Sequence, residues 1–129
     1  MTKIERKNSG YLLTFAGIIN REEMQAWVEA SRKALESETR GFCVIVDMRT
    51  LAPLPPETQQ VMVEGQKLYK ARGMTRSAVI LNNAVTAMQF KRLAKESGIY
   101  QWERYLDGAQ PGHFEAAVAW GRDGVDPDL

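Results

Sequence analysis

The residue types that most often perform catalysis or bind metals are scarce in this sequence. Its only histidine, His113, and its only cysteine, Cys43, lie far apart in the chain. Cys43 falls inside an apolar run, where cysteine behaves as a small hydrophobic residue. A structural zinc site needs four ligands of this kind, and a cysteine nucleophile needs a nearby base. We therefore predict that the protein binds no metal and is not an enzyme.

One carboxylate, Asp47, occupies a position where α/β proteins often place a functional group. It ends the apolar run Phe42–Val46, which predicts a buried strand, and open α/β sheets bind ligands beyond the carboxyl ends of their strands. A structural role is the alternative, in which Asp47 caps the next turn or pairs with Arg49 or Arg76. The loop after Asp47 contains no glycine, so the glycine-rich loops that bind nucleotide phosphates are absent. We expect no cofactor.

A long stretch of the chain, residues 65–95, has seven basic residues and no acidic one. They are Lys67, Lys70, Arg72, Arg76, Lys91, Arg92 and Lys95. One interpretation is a solvated face with cations near helix carboxyl ends, where the helix dipole favours them. The other is a positive surface for an acidic protein or a phospholipid headgroup. The net charge of +1 and the lack of a recognition motif argue against nucleic acid.

The bulk properties predict one soluble cytoplasmic domain. A chain of 129 residues can bury one sizeable core. A single cysteine excludes an intramolecular disulfide and fits a reducing compartment. The N-terminal residues lack the apolar core of a signal peptide. The longest apolar run is much shorter than the roughly 20 residues that cross a bilayer, so we predict no transmembrane segment.

The hydrophobic periodicity predicts strands and helices in alternation. The predicted strands are Lys3–Lys7, Tyr11–Ala16, Phe42–Val46, Thr75–Leu81 and Ile99–Leu106, the last with Tyr100, Trp102 and Leu106 on one side and Gln101 and Glu103 on the other. The predicted helices begin near Asn20, Pro55, Asn82 or Asn83, and Pro111. Gly65, in the middle of the second helix, indicates close packing against the sheet.

This order favours a single-domain α/β fold with a mixed, largely parallel sheet, an N-terminal hairpin and about four helices. We assign residues 1–120 to this domain. Residues 121–129 carry three aspartates, two glycines and a proline, a composition that predicts a mobile acidic tail.

The stretch from Phe42 to Leu106 resembles the STAS-domain proteins, the group that includes bacterial anti-sigma-factor antagonists. The similarity lies in FCVIVDMRTL, in the helix ending KLYKARG, and in MTRSAVILNNAVTAMQFKRLAKESGIYQWERYLD. The sequence looks closest to small stand-alone bacterial members, which are related in fold to a class of lipid-carrier domains. The resemblance implies a mixed sheet with helices largely on one face, and a role in protein–protein regulation.

One motif of that family differs in this chain. Family members carry Asp-Ser-Ser-Gly or Asp-Ser-Thr-Gly at the start of the helix after the central strand, and the serine is phosphorylated. The corresponding segment here, Leu54–Thr58, contains no serine, and Thr58 is its nearest hydroxyl. The phosphorylation switch that the resemblance implies therefore lacks its usual residue.

The family resemblance and the absence of a catalytic group together predict a non-enzymatic interaction module with a protein partner. The predicted partner-binding face consists of Asp47, Arg49, Pro55, Pro56, Glu57, Thr58 and Arg76. The alternative is a carrier or sensor of a small apolar or lipid-like ligand. Its predicted cleft, between helices and sheet, is lined by Met62, Met88, Phe90, Trp102 and Tyr105. Because unpaired edge strands invite partners, we also expect that a homodimer can form.

Overall fold

The computed structural model describes residues 1–129, which form one mixed five-stranded sheet with helices on both faces. The strands are β1 (Thr2–Lys7), β2 (Gly10–Phe15), β3 (Phe42–Met48), β4 (Met74–Leu81) and β5 (Glu103–Asp107). They lie in the sheet in the order of the chain. β1 pairs antiparallel with β2, and every other neighbouring pair is parallel. The predicted α/β class, with its N-terminal hairpin, is confirmed.

Four helices cover the sheet unequally. They are α1 (Arg21–Ala34), α2 (Pro56–Ala71), α3 (Ala84–Ser97) and α4 (His113–Asp123). Side chains of α1, α2 and α3 share one core cluster of 21 buried residues with one face of the sheet. On the other face, Trp120 of α4 packs in a smaller cluster with Ile45 and Ile80. No helix combines the length and the apolar character needed to cross a membrane.

The helix boundaries follow from local side-chain chemistry. The Asn20 side chain accepts a hydrogen bond from the backbone N–H of Glu23 at 2.8 Å, and Asn83 accepts from the N–H groups of Val85 and Thr86. Both asparagines therefore satisfy backbone donors that a helix start leaves free. Gly98 ends α3 with a φ of 86°, a left-handed conformation that glycine adopts without strain.

Gly65 is required by helix–helix packing rather than by the sheet. A Cβ atom at this position would lie 2.1 Å from a ring carbon of Trp27, which belongs to α1. The Trp27 ring stacks on Tyr69 of α2 with the ring centroids 5.5 Å apart. The predicted close packing is present, but its partner is an aromatic ring of α1.

The last strand differs from its predicted form. Residues Tyr100–Trp102 form a short 3₁₀ turn, and the strand begins only at Glu103. Within β5 the side chains alternate, so Glu103 and Tyr105 lie on the side of α3 while Leu106 packs with the α4 cluster. Tyr100, in the turn, also lies on the side of α3, since the Nζ atom of Lys95 is 4.8 Å from its ring centroid. The expectation that Tyr100, Trp102 and Leu106 share one face is therefore wrong.

The C-terminal residues contact the domain. Gly121 belongs to α4, and Arg104 of β5 holds the Asp126 carboxylate with two hydrogen bonds of 2.9 and 3.0 Å. The same guanidinium lies 4.1 Å from the ring centroid of Trp120. These contacts tie the segment that follows α4 to the sheet.

Candidate functional site at the carboxyl edge of the sheet

Strands β2 to β5 run parallel and end at the same side of the molecule, which we call the carboxyl edge. The helices that follow β3, β4 and β5 begin there, at Pro56, Ala84 and His113. This edge is where open α/β sheets place their binding sites. It includes most of the partner-binding face predicted from the sequence.

Asp47 and Arg49 form a closed ion pair at this edge. The Asp47 carboxylate accepts three hydrogen bonds from Arg49, from the backbone N–H at 3.1 Å and from the guanidinium at 3.0 and 2.9 Å. The hydrogen bonds from Arg49, with a smaller contribution from the charge of His113, hold the pKa of Asp47 below its usual value. Asp47 is thus a charged anchor for the loop after β3. It is not poised to accept a proton, since a general base needs a pKa near the working pH.

The loop that follows β5 packs tightly beside this pair. A Cβ atom at Gly108 would lie 2.5 Å from the Asn82 side-chain oxygen and 2.8 Å from Cγ of Arg49. The next helix begins with His113, whose Nδ1 lies 2.9 Å from the carbonyl oxygen of Gln110. The close packing at Gly108 joins the carboxyl ends of β3, β4 and β5.

A glutamine of α3 fixes the loop between β3 and α2. The side chain of Gln89 accepts a hydrogen bond from the N–H of Leu54 at 2.9 Å and donates to its carbonyl oxygen at 3.2 Å. Gln59 donates to the same carbonyl at 2.7 Å. Sequence reasoning missed Gln89, because a single polar residue at a helical position has no signal that separates it from a solvated side chain.

Several apolar side chains at this edge have no cover. Ile18 is 86% exposed, Met88 is 71% exposed and Val85 is 55% exposed. Gly17, which precedes Ile18, exchanges backbone hydrogen bonds with Thr50 and Ala52. These contacts bring the loop after β2 against the loop after β3, and Gln89 links the latter to α3. We use the term edge surface for Ile18, Pro53, Pro55, Pro56, Val85 and Met88, all of which are exposed.

Of the predicted face, Arg76 lies elsewhere and Thr58 is buried. Arg76 sits near the amino end of β4, opposite Cys43 in the register, whereas Asp47 is opposite Ile80. Its guanidinium donates to backbone carbonyls at the end of α4, the nearest at 2.8 Å. Thr58 is fully buried, and its hydroxyl has no hydrogen-bond partner. The exposed members of the predicted face at the carboxyl edge are Arg49, Pro55, Pro56 and Glu57.

The residues of the predicted ligand cleft do not share one lining. Met62 and Phe90 line an internal cavity between the helices and the sheet, with about 30 Å³ of free space. A cavity of this size holds about one water molecule. Met88 and Trp102 are exposed on the surface, and Tyr105 is partly buried, with its hydroxyl 3.5 Å from the carbonyl oxygen of Phe90. No preformed cleft joins the five side chains.

The same cavity contains a buried acid that sequence reasoning missed. Glu103 lines its wall, and one oxygen of its carboxyl group has no hydrogen-bond partner. Burial raises the pKa of Glu103 to about 8, although the nearby hydroxyls of Tyr105 and Ser77 oppose the shift. The Ser77 hydroxyl is itself without a partner. Glu103 is therefore largely protonated at neutral pH.

No protein-family model matches this chain, and no curated protein matches its sequence. The similarity to STAS-domain proteins thus stays a prediction that rests on the residues quoted for it. The site is defined by its geometry.

Proposed function

We propose that the protein is a non-enzymatic interaction module that binds an acidic protein partner through the edge surface. The observation that supports this proposal most directly is the exposure of Ile18, Val85 and Met88 at the edge where α/β folds place their sites. Val85 and Met88 are neighbours on one side of α3, and clustered exposed apolar groups mark interaction sites more often than isolated ones do.

The charge beside the edge surface favours an acidic partner. Lys91, Arg92 and Lys95 follow Val85 and Met88 on α3 and are all exposed. Arg92 forms an exposed pair with Glu96 at 3.1 Å, an arrangement that contributes little energy and is easily exchanged. A partner with apolar side chains flanked by carboxylates would complement both features of this surface.

The rigidity of the loops supports the same proposal. Proline restricts the backbone of the loop between β3 and α2, and Gln89 holds Leu54 from both sides. Ordering a flexible loop costs binding free energy, so a loop that is already ordered binds more tightly for the same contacts. The closed Asp47–Arg49 pair stabilises the start of this loop.

We infer a regulatory role from the resemblance to STAS-domain proteins. The mixed sheet and the location of three helices on one of its faces agree with what that resemblance implies. Thr58 is a poor site for the family's phosphorylation switch. Its hydroxyl is fully buried, and a kinase cannot reach it unless the start of α2 opens. We therefore propose that binding is controlled by means other than phosphorylation of Thr58.

We further propose a cytoplasmic location, which suits the free thiol of Cys43.

The predicted homodimer would need an edge strand of the sheet, β1 or β5. β1 carries the exposed Lys3 and Lys7, and β5 carries Arg104. Because charged side chains on edge strands discourage pairing between sheets, the edge surface is a better contact for a partner than either strand.

Photocrosslinking tests the proposed interaction in the organism that makes the protein. The photoreactive residue p-benzoylphenylalanine replaces Ile18 or Met88, and Val125, which is 59% exposed, serves as the matched control position. We expect one partner to crosslink from positions 18 and 88 and not from position 125. Its affinity, measured with the purified partner, should fall at least tenfold in I18D/M88D and stay unchanged in V125D. Equal crosslinking from all positions, or equal affinity of both variants, would rule out this surface.

A further inference from the structure

A second exposed site lies on the opposite face of the sheet, between the N-terminal hairpin and α4. α4 packs on β3, β4 and β5, and it leaves the part of this face formed by β1 and β2 open. The resulting groove has a volume of about 500 Å³, within the range of roughly 300–1,000 Å³ typical of small-molecule sites. It shares no lining residue with the internal cavity or with the edge surface.

The body of the groove is apolar. Phe114 and Val118 are one helical turn apart on α4 and form one wall, while Leu12 of β2 and Ile45 of β3 form the floor. Phe114 is 46% exposed, so a large apolar surface stands open to solvent at this end. The same side of α4 continues to Arg122, which is four residues after Val118 and also lines the groove. From Phe114 to Arg122 the wall is about 12 Å long, at roughly 1.5 Å per residue.

The other end of the groove is polar and positively charged. It is formed by Arg6, Lys7, Arg122 and the hairpin turn at Asn8 and Ser9, and none of the twelve lining residues is acidic. Gly121 brings the end of α4 against β3, because a Cβ atom there would lie only 3.3 Å from the sulfur of Cys43. The Cys43 sulfur lies 3.5 Å from the carbonyl oxygen of Ser9. Arg122 and the turn therefore meet at one place.

Two of these cations are available to a ligand. Lys7 lies 3.7 Å from Glu5, and Arg122 pairs with its neighbour Asp123 at 3.0 Å. Both pairs are exposed and contribute little, so a ligand anion can replace the protein carboxylate. Arg6 is held more firmly, since it donates to the carbonyl oxygen of Gly10 and pairs with Glu38.

We propose that this groove binds a single-chain amphipathic anion, with its carboxylate at Lys7 and Arg122 and its hydrocarbon chain along Val118 and Phe114. The charge of the polar end selects the carboxylate, and the apolar wall selects the chain. An extended chain of medium length, such as that of decanoate, matches the length of the wall. A charge-assisted hydrogen bond to each cation fixes the orientation of the ligand. This site is independent of the proposed partner surface.

Titration with decanoate, followed by backbone amide NMR spectra and below the micellar concentration, tests this site. We expect saturable shifts confined to residues of the hairpin, β3 and α4. Acetate, which has no chain, and 1-decanol, which has no charge, should each bind at least tenfold more weakly. The variant F114A should weaken binding of decanoate several-fold, since it removes part of the apolar wall.

A pair of charge variants separates specific recognition from general attraction. K7Q/R122Q removes the cations of the groove, and K33Q/K67Q removes two exposed cations elsewhere. We expect at least a tenfold weaker affinity for decanoate in K7Q/R122Q and less than a twofold change in K33Q/K67Q. Shifts that spread over α3, equal loss in both variants, or no saturable binding would each overturn the proposal.

Discussion

Replacement of Glu103 by glutamine should change how the stability of the protein depends on pH. Glu103 is buried in the wall of the internal cavity, and its pKa is about 8 in the folded protein, against an ordinary value of 4.5. Between these two values the folded protein keeps a proton that the unfolded chain has released. The free energy of unfolding therefore falls as the pH rises through this interval, and it levels off above pH 8.

The size of the effect is large compared with the stability of a typical domain. The interval between 4.5 and about 8 corresponds to a loss of about 5 kcal/mol, at roughly 1.36 kcal/mol for each pH unit. Domains of this size are stable by about 5–15 kcal/mol in total. Even half of the calculated loss would be measurable. Glutamine has nearly the same shape as glutamic acid but does not titrate, so the variant lacks this contribution.

Urea unfolding at several pH values between 5 and 8 measures the difference. The wild-type protein should lose several kcal/mol of unfolding free energy relative to E103Q over this range. Comparison of the two proteins cancels the contributions of all the titratable groups they share. The amide of E103Q can lower the stability by a constant amount if it lacks partners, but this offset does not depend on pH. Parallel curves for the two proteins would refute a neutral, buried Glu103.

Three further substitutions test the contacts that position the helices and the C-terminal segment. R104A should release Asp126, so amide hydrogen exchange of residues 124–129 should accelerate while the sheet stays protected; unchanged exchange would show that other contacts hold this segment. G65A should lower the unfolding free energy by about 1–2 kcal/mol in urea titrations. The clash of the new methyl group with Trp27 outweighs the gain of about 1 kcal/mol in helix propensity. A variant more stable than the wild type would contradict this packing. N83A should cost about 1 kcal/mol through loss of the helix cap, whereas alanine at the neighbouring exposed Asn82 should cost less; equal losses would show that Asn83 is not the cap.

The sequence patterns predicted the fold well where burial and periodicity agree. The run Phe42–Val46 predicts a strand covered on both faces, and in β3 Val44 faces the larger core cluster while Ile45 faces the cluster of α4. Asn20, and Asn82 or Asn83, predicted helix starts because capping interactions are local, and the structure identifies Asn83 as the second cap. A pattern works in these cases because the interactions that decide the structure lie within a few residues of one another.

The patterns failed where the structure depends on distant contacts. The alternation correctly places Glu103 opposite Leu106, but it contains no information that this side of β5 forms the wall of the internal cavity, where the carboxyl group is buried. Arg76 was grouped with Asp47 by charge, although it lies four positions nearer the amino end of its strand in the register. The Gln89 contacts with Leu54 join residues far apart in the chain, and periodicity contains no information on them.

β3 connects the two proposed binding sites and determines whether they influence each other. It provides Cys43 and Ile45 to the groove and Asp47 to the carboxyl edge. The strand is paired on both sides, and most of its side chains are buried on both faces, so it offers no alternative arrangement that a ligand could select. We therefore expect that saturation with decanoate changes the affinity for the crosslinked partner by less than twofold, and that K7Q/R122Q and I18D/M88D have additive effects. A larger change would require a second conformation of the sheet, and amide shifts at β3 that appear only with both ligands bound would reveal it.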